Sequence, residues 1–386
     1  MPARVVKLKN SEDLRDVVHL AVEALSAGKI VALPTETVYG IAASALNEQA
    51  VDRLLQIKHR PPGKPLAFAV KSLEDALDYV PDLSRLARRL GRRCWPGPVT
   101  LVLEDNHPDS VIQRLPQAVR RATVFSGTVG LRVPEHPTTL QILRLLAGPI
   151  VLTSANISGQ QDLVDGQQVV DHLGDEIDLI LDDGKSVYGK ASSVVKVTGN
   201  QYELLRAGVL GESALKRMTG FMALVVCTGN TCRSPMGEAL LKKQLASQLG
   251  CSIDELESHG VTIASAGIAA AVGSPPSLQS VEVMSRLGLD ISAYRSQPVT
   301  DQLIRSADAI LTLTANHKRA IVSRWPDAVS RTHTIRLDGR DISDPIGMPV
   351  DVYQNCAEQM DEHLRGWVEK LAPEIDVQER ADGDEN

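Results

Sequence analysis

The run Leu224-Val225-Val226-Cys227-Thr-Gly-Asn-Thr-Cys-Arg233-Ser234-Pro235 constrains this chain more than any other stretch. Its apolar opening reads as a buried parallel strand. Pro235, followed by Met236-Gly-Glu-Ala-Leu-Leu-Lys242, reads as the first turn of a helix. A loop between strand end and helix start turns successive backbone N–H groups toward one point. Such a point binds a phosphate dianion and favours a thiolate at Cys227 over a thiol. Arg233, six residues on, closes the ring and can grip two phosphate oxygens in a fork. Gly229 and Asn230 suit the unusual backbone angles that such a ring demands.

A cysteine six positions before an arginine is common by chance, and cysteine is usually a small buried residue. Strand, Gly-Asn, Arg-Ser-Pro and helix falling in register make the pattern specific for a covalent phosphatase. That chemistry needs an acid to protonate the leaving group. Asp341-Ile-Ser-Asp344-Pro345 supplies one in a loop ahead of the helical run Val350–Leu371. Proline after Asp344 holds that residue extended and helps aim its carboxylate.

The phosphatase pattern occupies less than half of the 386 residues, a length that suits two domains. The spacing predicts one α/β domain over 1–210, a linker over 211–220, a second α/β domain over 221–372 and an acidic, disordered tail over 373–386. A net charge of −7 argues against a broadly cationic nucleic-acid surface. No apolar run is long enough to span a membrane, and the N-terminus lacks a signal-peptide pattern. Five cysteines, an odd number with one nucleophilic, fit a reducing cytoplasm.

In the first half, Ser11-Glu-Asp-Leu reads as a capped helix start that closes at Ala27-Gly28. The strand Ile30–Leu33 runs into Pro34-Thr35-Glu36-Thr37-Val38-Tyr39-Gly40. Polar clusters then recur beside strands: Lys58-His59-Arg60-Pro-Pro-Gly-Lys64, Trp95-Pro-Gly-Pro-Val-Thr100, and Arg132-Val-Pro-Glu-His136-Pro137. Thr153-Ser154-Ala155-Asn156-Ile-Ser-Gly159 and Ala191-Ser192-Ser193 complete the series. Cations on a Pro/Gly-rich loop suit a triphosphate, and recurrence at strand ends points to one composite site in an α/β domain. Arg85, Arg88, Arg89, Arg92 and Arg93 recur at helical spacing, as a solvated face or an RNA-backbone patch would.

The second half resembles the low-molecular-weight protein tyrosine phosphatase family through the Cys227–Pro235 loop, Ser265-Ala-Gly267 and Asp344-Pro345. The resemblance implies a four-stranded parallel sheet and no cofactor. Cys227 would be the nucleophile, Arg233 the phosphate clamp, Ser234 a hydroxyl donor to the thiolate and Asp344 the general acid. Thr228, Gly229, Asn230 and Cys232 would complete the phosphate loop, with Cys232 able to form a protective disulfide with Cys227. Thr231, Met236-x-Glu238-Ala239 and Asp344-Pro-x-Gly347 resemble the protein arginine phosphatase branch, whereas Ile346 departs from it. Neither Ile268-Ala-Ala-Ala-Val272 nor Ile346-Gly347 offers an aromatic wall for a phenol ring. An arsenate reductase would need further cysteines over 257–355, where there are none.

The first half resembles the YrdC-like threonylcarbamoyl-AMP synthases across roughly residues 4–208, its motifs appearing in family order. That implies a twisted mixed-sheet α/β domain and condensation of L-threonine, bicarbonate and ATP, with Mg²⁺ on the phosphates. The product would serve threonylcarbamoyl modification of tRNA. Lys58, Arg60, Lys64, Ser154, Asn156 and Arg206 are then expected at ATP, and Thr35, Arg132 and Ser192 at threonine. Phosphorylated proteins are the expected partners of the second half; double-stranded RNA or tRNA-modification proteins are candidate partners of the first. A phosphotyrosine phosphatase joined to a non-catalytic nucleotide- or RNA-binding domain is the alternative.

Overall fold

The computed structural model describes residues 2–61, 63–375 and 378–379. The chain divides into two compact α/β units between Met218 and Thr219.

The first unit is built on a mixed sheet. Its strand order is Arg4–Lys7, Leu179–Asp182, Val31–Leu33, Gly40–Ser44, Ile150–Ser154, Ala67–Ala69, Thr128–Arg132, Val99–Glu104, Ser193–Thr198 and Gln201–Arg206. Val31–Leu33 pairs parallel with Leu179–Asp182 and antiparallel with Gly40–Ser44, so its residues are buried on both faces. Helix Leu14–Ser26 lays Val17, Val18, Ala21, Ala24 and Leu25 against Val31, Leu33 and Leu181. Asp13, not Ser11, caps this helix, accepting the Arg15 N–H at 2.8 Å. The Ser11 hydroxyl instead donates to the Lys7 carbonyl across the short turn Leu8–Asn10.

The segment 211–220 holds the short helix Glu212–Thr219, in which Leu215 is buried. One expectation changes here. The arginine-rich helix is Arg85–Cys94, but its basic residues do not all face solvent. Arg85 and Arg88 are exposed, Arg89 is 1% exposed, and Arg93 donates to the Met218 carbonyl at 2.7 Å. Buried arginines of this kind pack the interior rather than forming one solvated stripe.

The second unit is a four-stranded, all-parallel sheet in the order Val261–Gly267, Phe221–Cys227, Ala309–Thr312, Thr332–Thr334. Alternate residues of Phe221–Cys227 feed two cores. Ala223 and Val225 pack with Met236, Leu240 and Met360 on one face; Leu224 and Val226 pack with Ile304, Ile310 and Ile321 on the other. Burying each Val or Leu contributes about 1.5–3 kcal/mol, so this strand anchors the unit. Its neighbours lie on opposite sides, which opens a crevice past its carboxyl end, where α/β sheets bind ligands. The last helix, Val350–Ile375, runs through Pro373 and beyond the expected end at Leu371. Gln378–Glu379 belong to the first unit, where they pair parallel with Gln201–Tyr202. The expected disordered tail otherwise lies outside the described residues. Among the described residues, no helix is long and apolar enough to cross a membrane.

Candidate active sites

In the second unit, Cys227 ends the central strand and Arg233 begins helix Arg233–Leu249, with the phosphate loop between them. No side chain caps this helix start, which leaves its N–H groups directed at the loop centre. Asn230 alone takes the left-handed conformation, at φ 56°; Gly229 does not. Asn230 is fully buried and clamped on every side. Its Oδ1 accepts from Tyr294 Oη at 2.6 Å and from the Gln297 N–H at 2.8 Å. Its Nδ2 donates to Ser234 Oγ at 2.8 Å and Ser265 Oγ at 3.1 Å. Ser265 in turn donates to the buried Glu238 carboxylate at 2.7 Å.

This chain of partners fixes a proton. The Asn230 amide can only donate to Ser234 Oγ, which leaves the Ser234 O–H for Cys227 Sγ at 3.0 Å. The Asn230 N–H adds a second donor to that sulfur at 3.2 Å. Both donors converge on the sulfur that ends the central strand. Burial pushes Tyr294 up to about 12, so its hydroxyl stays a donor at neutral pH.

Arg233 is buried, donates through Nη1 to the Ile342 carbonyl at 3.1 Å and pairs through Nη2 with Asp344 Oδ2. Asp344 Oδ1 accepts the Ile346 N–H at 3.2 Å, a local turn that keeps the carboxylate over the loop. The Arg233 guanidinium and the Asp344 carboxylate therefore meet beside the loop. Thr231 is half-buried, with Oγ1 3.7 Å from Cys232 Sγ, and Cys232 lies 3.5 Å from Tyr353 Oη. The rim carries exposed Ile268 and Ile346. A Cβ at Gly267 would collide with the Thr228 carbonyl oxygen, so this strand end approaches the loop only as glycine.

Sequence reasoning quoted Glu238 and Ser265 only within family motifs, with no role assigned, and missed Tyr294 and His317 as parts of this site. His317 is buried, and its Nε2 lies 2.9 Å from Thr228 Oγ1. Burial, with the nearby Arg233 guanidinium, pushes it down to about 4 and keeps the ring neutral.

In the first unit, a cavity of about 1100 Å³ gathers seven of the nine expected residues on its wall. These are Thr35, Arg60, Lys64, Arg132, Ser154, Ser192 and Arg206. Burial and mutual repulsion push Arg60 below the usual arginine range. Burial does the same to Arg206, with Arg132 adding repulsion. An anion placed among these cations relieves the repulsion. Arg206 also donates to the Ser192 carbonyl at 2.8 Å, and Arg60 to Thr153 Oγ1 at 3.1 Å.

Lys58 and Asn156 stand elsewhere. Lys58 is 2% exposed, and its ammonium donates to the Ser154 carbonyl at 2.7 Å, to the Asn156 carbonyl, and to Asn156 Oδ1 at 3.2 Å. Asn156 Oδ1 accepts from Ser154 Oγ at 2.6 Å. The pair braces Ser154 from behind the wall. Arg132 is also less available than its motif suggested. It pairs with buried Glu36 at 2.6 Å and donates to Thr37 Oγ1 at 2.8 Å. Glu36 and Thr37 belong to the Pro34–Gly40 motif, where their charge and hydroxyl were the available signal. Among the described residues, no cluster of three or more His, Cys, Asp or Glu is placed to hold a metal ion.

Strand, loop and helix in one unit and a cation-lined cavity in a mixed α/β unit define a two-domain protein with two candidate sites. Comparison with known proteins resolves both halves. Residues 23–208 match the Sua5–YciO–YrdC family model, described as telomere recombination, and residues 222–377 match that of low molecular weight phosphotyrosine protein phosphatases. A putative threonylcarbamoyl-AMP synthase of Mycobacterium tuberculosis is 36% identical over 52% of this chain and 88% of its own length. The threonylcarbamoyl-AMP synthase of Pyrococcus abyssi is 35% identical over 53% of this chain, which spans 57% of that relative's length. The solved arginine phosphatase YwlE of Geobacillus stearothermophilus is 35% identical over 40% of this chain and 94% of that one, with a TM-score of 0.35. The chain belongs to the threonylcarbamoyl-AMP synthase family through its first unit and carries a low-molecular-weight phosphatase domain as its second.

Proposed function

We propose that the chain is a bifunctional cytoplasmic enzyme. Its first unit makes threonylcarbamoyl-adenylate from L-threonine, bicarbonate and ATP for tRNA modification; its second removes phosphate from protein phosphoarginine. The observation that carries the second activity is the meeting of Cys227, Ser234, Arg233 and Asp344 around one phosphate-sized loop. The Cys227 thiolate attacks phosphorus while the P–N bond breaks and the guanidine nitrogen takes a proton from Asp344. Water then attacks the phosphocysteine, gives its proton to the Asp344 carboxylate, and phosphate leaves. A phosphoryl dianion competes with Asp344 for Arg233, so substrate binding releases the carboxyl toward the leaving group.

Phosphoarginine is favoured over phosphotyrosine by the Thr231 hydroxyl at the loop and by the lack of an aromatic side chain over 268–272 and 346–347. In the first unit, Lys64, Arg60 and Arg206 neutralise a triphosphate, and Arg132 with Thr35 and Ser192 orients threonine. Mg²⁺ arriving on ATP would screen the phosphate charge.

Side-by-side hydrolysis of phosphoarginine and phosphotyrosine peptides tests the phosphatase reading, with Cys227→Ser as blank. A phosphotyrosine preference would overturn the substrate assignment and leave the mechanism standing. Threonine-dependent pyrophosphate release from ATP tests the synthase. Its absence from the intact protein would reduce the first unit to a binding domain.

A further inference from the structure

His317 is a buried imidazole that the mechanism above does not use. It lies in the first turn of helix Ala315–Arg324, where Thr314 Oγ1 accepts its N–H at 3.2 Å. Asp341 Oδ1 accepts the Ala315 N–H at 2.7 Å, tying this helix start to the loop that carries the general acid. His317 Nε2 reaches the other way, to Thr228 Oγ1 at 2.9 Å. One helix turn therefore bridges the acid loop and the phosphate loop.

The tautomer follows from the surroundings. Nδ1 is buried and meets no partner among the described residues. An orphaned N–H is rarer and costlier than an orphaned lone pair, which favours placing the proton on Nε2. Nε2–H then donates to Thr228 Oγ1. Thr228 is exposed at the mouth of the loop, next to the nucleophile. Its hydroxyl keeps one lone pair and its own proton. A guanidine leaving group brings N–H donors to that position, whereas a phenol ring brings only carbon.

We propose that His317 is a positioning residue that sets the leaving-group preference of the phosphatase site. It holds the Thr228 hydroxyl where it accepts a guanidine N–H and donates to a phosphoryl oxygen. This rests on the phosphoarginine reading above. The role lies in orientation and not in proton transfer, because the imidazole is neutral and, among the described residues, its polar contact toward the loop is Thr228.

The test compares kcat and KM of the full chain and its variants on a phosphoarginine peptide and on p-nitrophenyl phosphate, whose activated leaving group needs no such contact. His317→Ala and Thr228→Val should each lose about tenfold more kcat/KM on phosphoarginine than on p-nitrophenyl phosphate. His317→Gln, whose amide can donate to the same hydroxyl, should recover most of the difference. The double variant should be no worse than either single one. A parallel loss on both substrates would show a merely structural role and overturn the inference, as would a Thr228→Val enzyme matching the parent. Thr228 is exposed, so that variant keeps the test valid if His317→Ala misfolds. A parent enzyme inert toward phosphoarginine sinks the substrate reading and this inference together. An active parent whose variants leave the ratio unmoved sinks this inference alone.

Discussion

The two candidate sites are built in opposite ways. In the second unit, eight consecutive residues, Cys227 to Ser234, carry the proposed nucleophile, clamp and hydroxyl donor, and only the proposed acid comes from far along the chain. In the first unit, the cavity draws its wall from positions as distant as Thr35 and Arg206. A contiguous loop has its geometry dictated by strand end and helix start, so residue and role coincide. A scattered wall shares its side chains between ligand and scaffold, and a motif residue there can be a brace. Lys58 behind Ser154 is that case.

The sharpest way to test this contrast is Asp344→Asn. Removing a general acid should cost roughly 10²- to 10⁴-fold in phosphoarginine kcat while threonine-dependent pyrophosphate release continues. Joint loss would mean that the two sites are not independent. Next, Arg206→Ala should lower pyrophosphate release roughly 10- to 100-fold, as expected for losing charged hydrogen bonds to a ligand. Lys58→Met should act first on stability. It strands the carbonyls of Ser154 and Asn156, at a cost on the order of 2–3 kcal/mol, read as a lower Tm for the first unit. Full stability with abolished ATP binding would return Lys58 to the wall.

A smaller effect separates the units by pH. The folded value of His317, about 4, lies below its ordinary 6.5, so the unfolded chain binds more protons between them. Its contribution to stability is complete above pH 6.5 and is lost as pH falls toward 4, with Asp341 and Asp344 opposing the shift. His317→Gln should flatten that decline in chemical denaturation of the second unit, and an unchanged slope would refute it.

What was legible in the sequence follows the same division. Cys227, Arg233, Ser234 and Asp344 stood out because their spacing sets them at a strand end, a helix start and a loop, and the parallel sheet was implied by the family resemblance. The clamp on Asn230 was not. Tyr294 and Ser265 lie 64 and 35 residues away and meet it only through sheet topology. His317 gave no signal beyond a Thr-x-x-His helix start. Arginines at helical spacing suggested a solvated face, but Arg89 is buried, because charge pattern reports polarity and not which side of a helix faces the core. Likewise Ser11 and Asp13 both suit a cap, and the chain used the second.

Gly267 carries a last consequence. It lies opposite Cys227 in the sheet register, and the Thr228 carbonyl occupies the space its side chain would need. The phosphate loop is therefore not a portable cassette. Grafted onto another strand–helix junction, Cys227 to Ser234 would bring its cysteine, arginine and hydroxyl and still lack the bare backbone ledge, forty residues downstream, against which the loop is moulded.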